Sequence, residues 1–159
     1  MWLYVVGHEL THAVWTWMFG GRVKRFKAGS KGGHVVVTRT NFLISLAPYF
    51  FPFYAAVIAL VFVVGHLIWD GSRLGVWFHL LLGVAYSFHV TLTAHVLRLR
   101  QTDVTQHGYL FAAVIIFLGN IAVLLISLPV LTRSAGIGAV MAWWLDETAN
   151  IWRRISELM

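Results

Sequence analysis

The sequence predicts an all-α polytopic membrane protein with about four transmembrane helices, and three observations favour this fold class. Hydrophobic residues make up 59% of the 159-residue chain and charged residues only 11%, against about 25% charged residues in an average soluble domain. Four apolar runs are each long enough to cross a bilayer. Basic residues gather between these runs, with all three lysines inside residues 22–39. Such a pattern is typical of a chain that threads the membrane several times.

The apolar runs predict the helices that cross the membrane. They cover residues 1–19, 42–69, 76–97 and 108–131. The first run is expected to end at Gly20-Gly21, because paired glycines favour a turn over a continuing helix. Pro48 and Pro52 are expected to kink or break the first third of the second run, because proline lacks a backbone donor.

A glycine-rich turn follows the first run, with the sequence Gly29-Ser30-Lys31-Gly32-Gly33. Two short β-prone segments flank it, at about 22–28 and 34–40. This arrangement predicts a small β-hairpin over about residues 22–40. Its basic strand favours a position at the membrane surface.

The end of the chain has a different pattern, in which apolar residues recur every three or four positions with charged residues between them. That periodicity predicts an amphipathic helix lying in the membrane interface. The chain is therefore expected to divide into a membrane-embedded core, residues 1–131, and an amphipathic interfacial tail, residues 132–159.

The distribution of basic residues predicts the orientation of the chain. The segments after the first and third runs carry most of them, whereas those after the second and fourth carry only Arg73 and Arg133. The positive-inside rule then places the hairpin and the 98–107 loop in the cytoplasm. We interpret the basic cluster as a topology signal rather than a nucleic-acid patch, so the lipid bilayer is an expected partner and nucleic acid is not.

Residues 8–12 read His-Glu-Leu-Thr-His, and Glu9 is the only glutamate among the first 140 residues. On a helix, His8 and His12 are one turn apart on one face, so both imidazoles can reach one metal ion. Glu9 lies beside the pair and can reach a water on the metal without being a ligand. This is the HExxH arrangement of two metal ligands and a general base. Ionisable groups inside a membrane span are costly and indicate function.

A catalytic zinc ion usually has three protein ligands and one open position. The chain contains no cysteine, so the third ligand must be a histidine or a carboxylate. Asp103, just before the fourth run on the cytoplasmic side, is the first candidate. His89 is the alternative, since its depth in the third run matches that of His12; it could equally orient a ligand or bind substrate. Asn120, in the fourth run, is either a helix-packing residue or a polar group near the site.

These features resemble the site-2 protease family of intramembrane zinc metalloproteases, and the bacterial sporulation-factor-processing branch is similar in size. The resemblance implies that His8, His12 and an aspartate bind Zn²⁺ and that Glu9 activates the water. It also implies a bacterial inner-membrane location, an active site that opens to the cytoplasm, and a β-hairpin that presents substrate as an added strand. The family aspartate usually lies in Leu-Asp-Gly or Asn-Pro-x-x-Asp, whereas Asp103 lies in Gln-Thr-Asp-Val.

The expected function is that of an intramembrane zinc metalloendopeptidase that cleaves transmembrane segments of substrate proteins. Two alternatives belong to other classes: a non-catalytic metal- or haem-binding membrane protein, and an ion or proton transporter whose His/Glu patch relays protons. A metal-binding protein needs the histidines but has no need for Glu9. The sequence leaves open the substrate, the oligomeric state and the regulatory partners.

Overall fold

The computed structural model describes residues 1–29, 32–68, 75–132 and 137–157, so two residues of the predicted hairpin turn lie outside the described part. The described chain is mostly helical and contains one small antiparallel sheet, as the sequence predicts. Its elements, in chain order, are α1 (Trp2–Met18), β1 (Val23–Gly29), β2 (Gly32–Val37), α2 (Phe42–Phe50), α3 (Phe53–Ile68), α4 (Gly75–Leu97), α5 (Thr102–Thr105), α6 (Tyr109–Thr132) and α7 (Ile137–Ser156).

Among the described residues, two helices are long and apolar enough to cross a membrane, α4 and the Tyr109–Ser127 part of α6. A third span is available if α2 and α3 are counted together as one broken span. The expectation of a multi-pass membrane protein is thus supported at the level of two or three spans, and the expected number of four is not confirmed. The fourth expected span is α1, whose 17 residues make it shorter than the helices that are long enough to cross a membrane.

The second apolar run is broken as Pro48 and Pro52 predict, and α2 and α3 meet at an angle of 77°. Asn41 begins α2 by accepting a hydrogen bond from the Ile44 amide at 2.8 Å, which satisfies one of the free donors of the first turn. Every residue from Ile44 to Phe50 is buried. The short helix α2 is therefore part of the protein core rather than a lipid-facing segment.

The two strands form the predicted hairpin, with Val23 opposite Val37 and Gly29 opposite Gly32. A register shift between Val23 and Arg25 marks a β-bulge, which increases the local twist of a strand. The second strand begins earlier and ends earlier than the predicted segment 34–40. Since the sheet has two strands, each strand keeps one unpaired edge.

Glycines allow α1 and α6 to approach the α2–α3 pair closely. A Cβ atom added at Gly7 would lie 2.7 Å from Cε2 of Tyr54, and one added at Gly119 would lie 2.5 Å from Cγ of Phe50. The Tyr54 hydroxyl also donates a hydrogen bond to the carbonyl oxygen of Leu3. Small residues at helix contacts are the usual way for membrane helices to pack closely.

The chain forms two compact units, Met1–Asn120 and Ile121–Met159, and all the candidate site residues lie in the first unit. In the second unit, the predicted C-terminal helix is present as α7, and several of its large apolar side chains are exposed: Trp143, Trp144, Leu145, Ile151 and Trp152. Basic residues, Arg153 and Arg154, occupy its last turn, where they complement the negative end of the helix dipole. Its position in the membrane interface stays a prediction.

Replacing Gly119 with alanine should destabilise the fold by about 1–3 kcal/mol, the typical cost of inserting an extra methyl group into a packed contact. The matched control is Gly83→Ala in α4, where a Cβ atom would meet nothing within 4 Å. Thermal unfolding in detergent should show a lower midpoint for Gly119→Ala and an unchanged or higher one for Gly83→Ala. Equal midpoints for the two variants would contradict the close α6–α2 contact.

Candidate metal centre

Helix α1 places the HExxH residues on its buried side. Glu9 and His12 are both buried, and His8 is nearly so. The Nε2 atoms of His8 and His12 are 3.3 Å apart, so the two imidazoles converge on one point, as their one-turn spacing predicts. The Thr11 hydroxyl, which is also buried, donates a hydrogen bond to the carbonyl oxygen of Gly7 at 2.7 Å within the same helix.

The orientation of the His12 ring is fixed by a backbone carbonyl in α2. Nδ1 of His12 lies 2.9 Å from the carbonyl oxygen of Ile44. Because that oxygen can only accept, Nδ1 must carry the proton, and Nε2 of the neutral ring keeps its lone pair for a ligand. In an unbroken helix, the Ile44 carbonyl would accept from the amide four residues later. That residue is Pro48, which has no amide hydrogen, so the acceptor is left free for His12.

Helix α5 brings Asp103 to the histidine pair. Its Oδ2 atom lies 3.4 Å from Nε2 of His8 and 3.6 Å from Nε2 of His12. The Tyr49 hydroxyl, from α2, donates to the same Oδ2 atom at 3.1 Å. Just beyond α5, the Gln106 amide donates to the hydroxyl of Ser45 at 3.1 Å. Two side-chain hydrogen bonds thus hold α5 against α2 and fix the carboxylate beside the histidines.

The three ligand atoms fit the donor set and the spacing of a tetrahedral zinc site. Nitrogen and oxygen ligands at about 2.0–2.2 Å from zinc, arranged tetrahedrally, lie about 3.3–3.5 Å from one another. The three observed separations are 3.3, 3.4 and 3.6 Å. The donor set of two imidazoles and one carboxylate, which occurs in catalytic zinc sites, leaves one tetrahedral position for water or substrate.

The electrostatics of the cluster favour a cation. Burial alone would raise the pKa of the Asp103 carboxyl, but hydrogen bonds and charge interactions with His12 and His8 outweigh that effect and hold the pKa below its ordinary value. The carboxylate is therefore ionised at neutral pH. Nε2 of His8 and Nε2 of His12 lie within 3.6 Å of this carboxylate, where either a proton on the imidazole or a metal ion between the groups satisfies the buried charge.

The side chain of Glu9 lies between the backbone of α1 and the hairpin. A Cβ atom added at Gly33 of β2 would lie 2.7 Å from Cγ of Glu9 and 2.9 Å from Cγ1 of Val5. The glutamate side chain therefore passes directly against the backbone of β2, where only glycine leaves room for it. This contact covers Glu9 and places its side chain next to a strand of the hairpin.

His89 does not join the metal-ligand cluster, which among the described residues consists of His8, His12 and Asp103. It is buried on α4, and its Nε2 atom has no hydrogen-bond partner among the described residues. His8 and His89 both line a small cavity of about 20 Å³, enough for a single water molecule. His89 therefore lies near His8, and it also lines a larger groove with Tyr49 and Val104, but it is not one of the three converging side chains.

Asn120 is close to the site but does not contact the three ligands. Its side-chain amide donates to the carbonyl oxygens of Ile116 at 2.8 Å and Tyr49 at 3.3 Å. Both partners can only accept, which fixes the nitrogen toward them and the Oδ1 atom away from them. Tyr49 lies at the end of α2, where carbonyls lack helical partners, so Asn120 supplies a missing donor.

Sequence reasoning missed three contributors to the site: the Tyr49 hydroxyl, the Ile44 carbonyl and the role of Pro48 in freeing that carbonyl. One signal was available in the sequence. A proline inside a helix always leaves the carbonyl four residues earlier without its amide partner, and a buried free acceptor must find a donor. Which donor reaches it depends on how α1 packs against α2.

No protein-family model matches the chain, and no curated protein or solved structure is significantly similar to it.

Proposed function

We propose that the protein is a zinc-dependent intramembrane endopeptidase that cleaves transmembrane segments of other proteins. The observation that carries the proposal is the convergence of His8, His12 and Asp103 within 4.8 Å of one another, with Glu9 buried beside the two histidines on the same helix. The proposed ligands are those three side chains, and the proposed general base is Glu9.

Zinc, when bound, would act as a Lewis acid that polarises the scissile carbonyl and makes a water molecule nucleophilic at neutral pH. Side chains of the protein carry out the proton transfers and hold the ligands in place. Glu9 takes the proton of the attacking water and then gives it to the leaving amine. Tyr49 donates to Asp103 and keeps that carboxylate in place, as partners of ligating carboxylates commonly do.

In the proposed arrangement, the membrane is crossed by α1, the broken α2–α3 pair, α4 and α6. At about 1.5 Å per residue, the 17 residues of α1 span about 26 Å, so α1 suits a locally thin bilayer. The basic residues of the hairpin and of the 98–107 loop favour a site that opens to the cytoplasm. A bacterial inner membrane is the proposed location.

The hairpin supports a mode of substrate presentation. Gly33 of β2 lies directly against Glu9, and the sheet has only two strands. An extended substrate segment that pairs with the free edge of β2 would use its backbone hydrogen bonds for binding. Such pairing would hold the substrate backbone on the Glu9 side of the site.

The ligand assignment predicts the zinc content of purified variants. His12→Ala and Asp103→Ala should each lose nearly all of the stoichiometric zinc, because two remaining ligands hold the ion poorly. His89→Ala, the control at the alternative ligand, should retain it. Elemental analysis of protein purified in detergent measures all three. Zinc retained by Asp103→Ala and lost by His89→Ala would reverse the assignment of the third ligand.

The role of Glu9 predicts a separation of binding from catalysis. Glu9→Gln preserves the size of the side chain but removes the base, so cleavage of a reporter transmembrane substrate should fall by at least about 100-fold, with zinc content unchanged. A fluorogenic cleavage assay in lipid vesicles provides the measurement. Full activity of Glu9→Gln would rule out the protease mechanism and leave a non-catalytic metal protein or a transporter.

Pro48 is predicted to be a positioning residue for His12. Pro48→Ala introduces an amide that competes for the Ile44 carbonyl, so the His12 ring is held less firmly and zinc affinity should fall by about tenfold. Pro52→Ala is the matched control. It also adds a backbone amide at the α2–α3 break, but the carbonyl four residues earlier is that of Pro48 and not that of Ile44. Competition with a fluorescent zinc chelator measures both affinities. Equal affinities in the two variants would show that the Ile44 acceptor is not limiting.

A further inference from the structure

A groove of about 560 Å³ lies between α4 and α6, the two helices that are long and apolar enough to cross a membrane. Its volume is in the range of ordinary ligand sites. Its walls come from both helices and from the segment between them, and they are mainly apolar, as at Leu97, Ala113 and Phe117. The polar side chains of His89, Thr93 and Asn120 also line it.

The groove reaches the metal centre through α2 and α5. Tyr49 lines it and donates its hydroxyl hydrogen to Oδ2 of Asp103. Val104, the residue after Asp103, lines it as well. A molecule lying in the groove would therefore be separated from Asp103, the third proposed ligand, by the side chain of Tyr49.

Asn120 provides a hydrogen-bond acceptor in this mainly apolar groove. Two other lining atoms, Nε2 of His89 and Oγ1 of Thr93, are buried without a hydrogen-bond partner among the described residues. Both of its amide hydrogens are directed at carbonyl oxygens, those of Ile116 and Tyr49. Its Oδ1 atom has no hydrogen-bond partner among the described residues, and Asn120 lines the groove. The occupant that fits is one with apolar side chains and a free N–H donor.

We propose that this groove binds the locally extended part of a transmembrane substrate, with Oδ1 of Asn120 accepting a hydrogen bond from a substrate backbone amide. The inference rests on the proposed protease function and adds to it the site that holds the substrate on the Asp103 side. A lipid chain has no N–H donor for Asn120. An intact helix has already used its backbone amides internally. An unwound segment has both apolar side chains and amides that need partners inside the membrane.

The test uses photo-crosslinking in the Glu9→Gln background, so that the substrate is not cleaved. A benzophenone amino acid is placed at Ala113, which lines the groove, or at the neighbouring Val114, which is exposed and does not line it. The probe is a biotinylated, leucine- and alanine-rich transmembrane peptide with a central Gly-Pro pair, which favours local unwinding. The same peptide without the Gly-Pro pair is the second probe.

The expected result is strong crosslinking from position 113 to the Gly-Pro peptide, with much weaker crosslinking to the uninterrupted peptide and from position 114. Asn120→Leu should reduce crosslinking of the Gly-Pro peptide by about tenfold, the effect of losing one hydrogen bond, and leave that of the uninterrupted peptide unchanged. Equal crosslinking from both positions, equal labelling of both peptides, or crosslinks to lipid alone would overturn the proposal.

Kinetics separate a failure of this inference from a failure of the proposed function. If the wild-type protein cleaves the peptide, Ala113→Trp should raise KM by at least about tenfold, with Val114→Trp as the unchanged control. An unchanged KM in Ala113→Trp would contradict substrate binding in the groove, while the proposed protease function would stand. If the wild type binds zinc but cleaves nothing, the protease function fails, while the crosslinking result still decides whether the groove binds an unwound peptide.

Discussion

The hydrogen bond from Nδ1 of His12 to the carbonyl oxygen of Ile44 is the interaction on which the rest of the candidate site depends. It exists because Pro48 removes the amide that would otherwise occupy this acceptor. A buried carbonyl without a partner is costly, so the His12 ring supplies the donor that Pro48 lacks and is itself held in one orientation. The missing amide of Pro48 is thereby connected to the orientation of His12, one of the three proposed ligands.

The same principle applies to the other polar contacts around α2. The Tyr49 carbonyl, at the end of this helix, receives the Asn120 amide, and the Tyr49 hydroxyl holds Asp103. A straight membrane helix without proline would offer neither the Ile44 nor the Tyr49 carbonyl, because its carbonyls would be used internally. Breaking the second apolar run inside the protein thus turns a segment without charged residues into the support for a polar site.

The resemblance to the site-2 protease family rests on the arrangement of HExxH, hairpin and later aspartate. Two features that the proposed membership of this family would imply take a particular form here. The second apolar run bends by 77° and is buried over α2, so it is not a simple additional span between the HExxH motif and Asp103. The aspartate is positioned by Tyr49 and by the Gln106–Ser45 contact rather than by the sequence patterns usual in the family.

The sequence by itself determined the helical class, the hairpin, the break at Pro48 and Pro52, and the convergence of His8 and His12, because each follows from local spacing or from the chemistry of one residue type. For the third proposed ligand it favoured Asp103 over His89, but it could not show which side chain reaches the histidine pair. Only the tertiary structure brought Asp103 to the pair, left His89 outside that cluster and formed the groove between α4 and α6. These depend on which helix faces meet, and such long-range packing is set by contacts far apart in the chain that local periodicity does not encode.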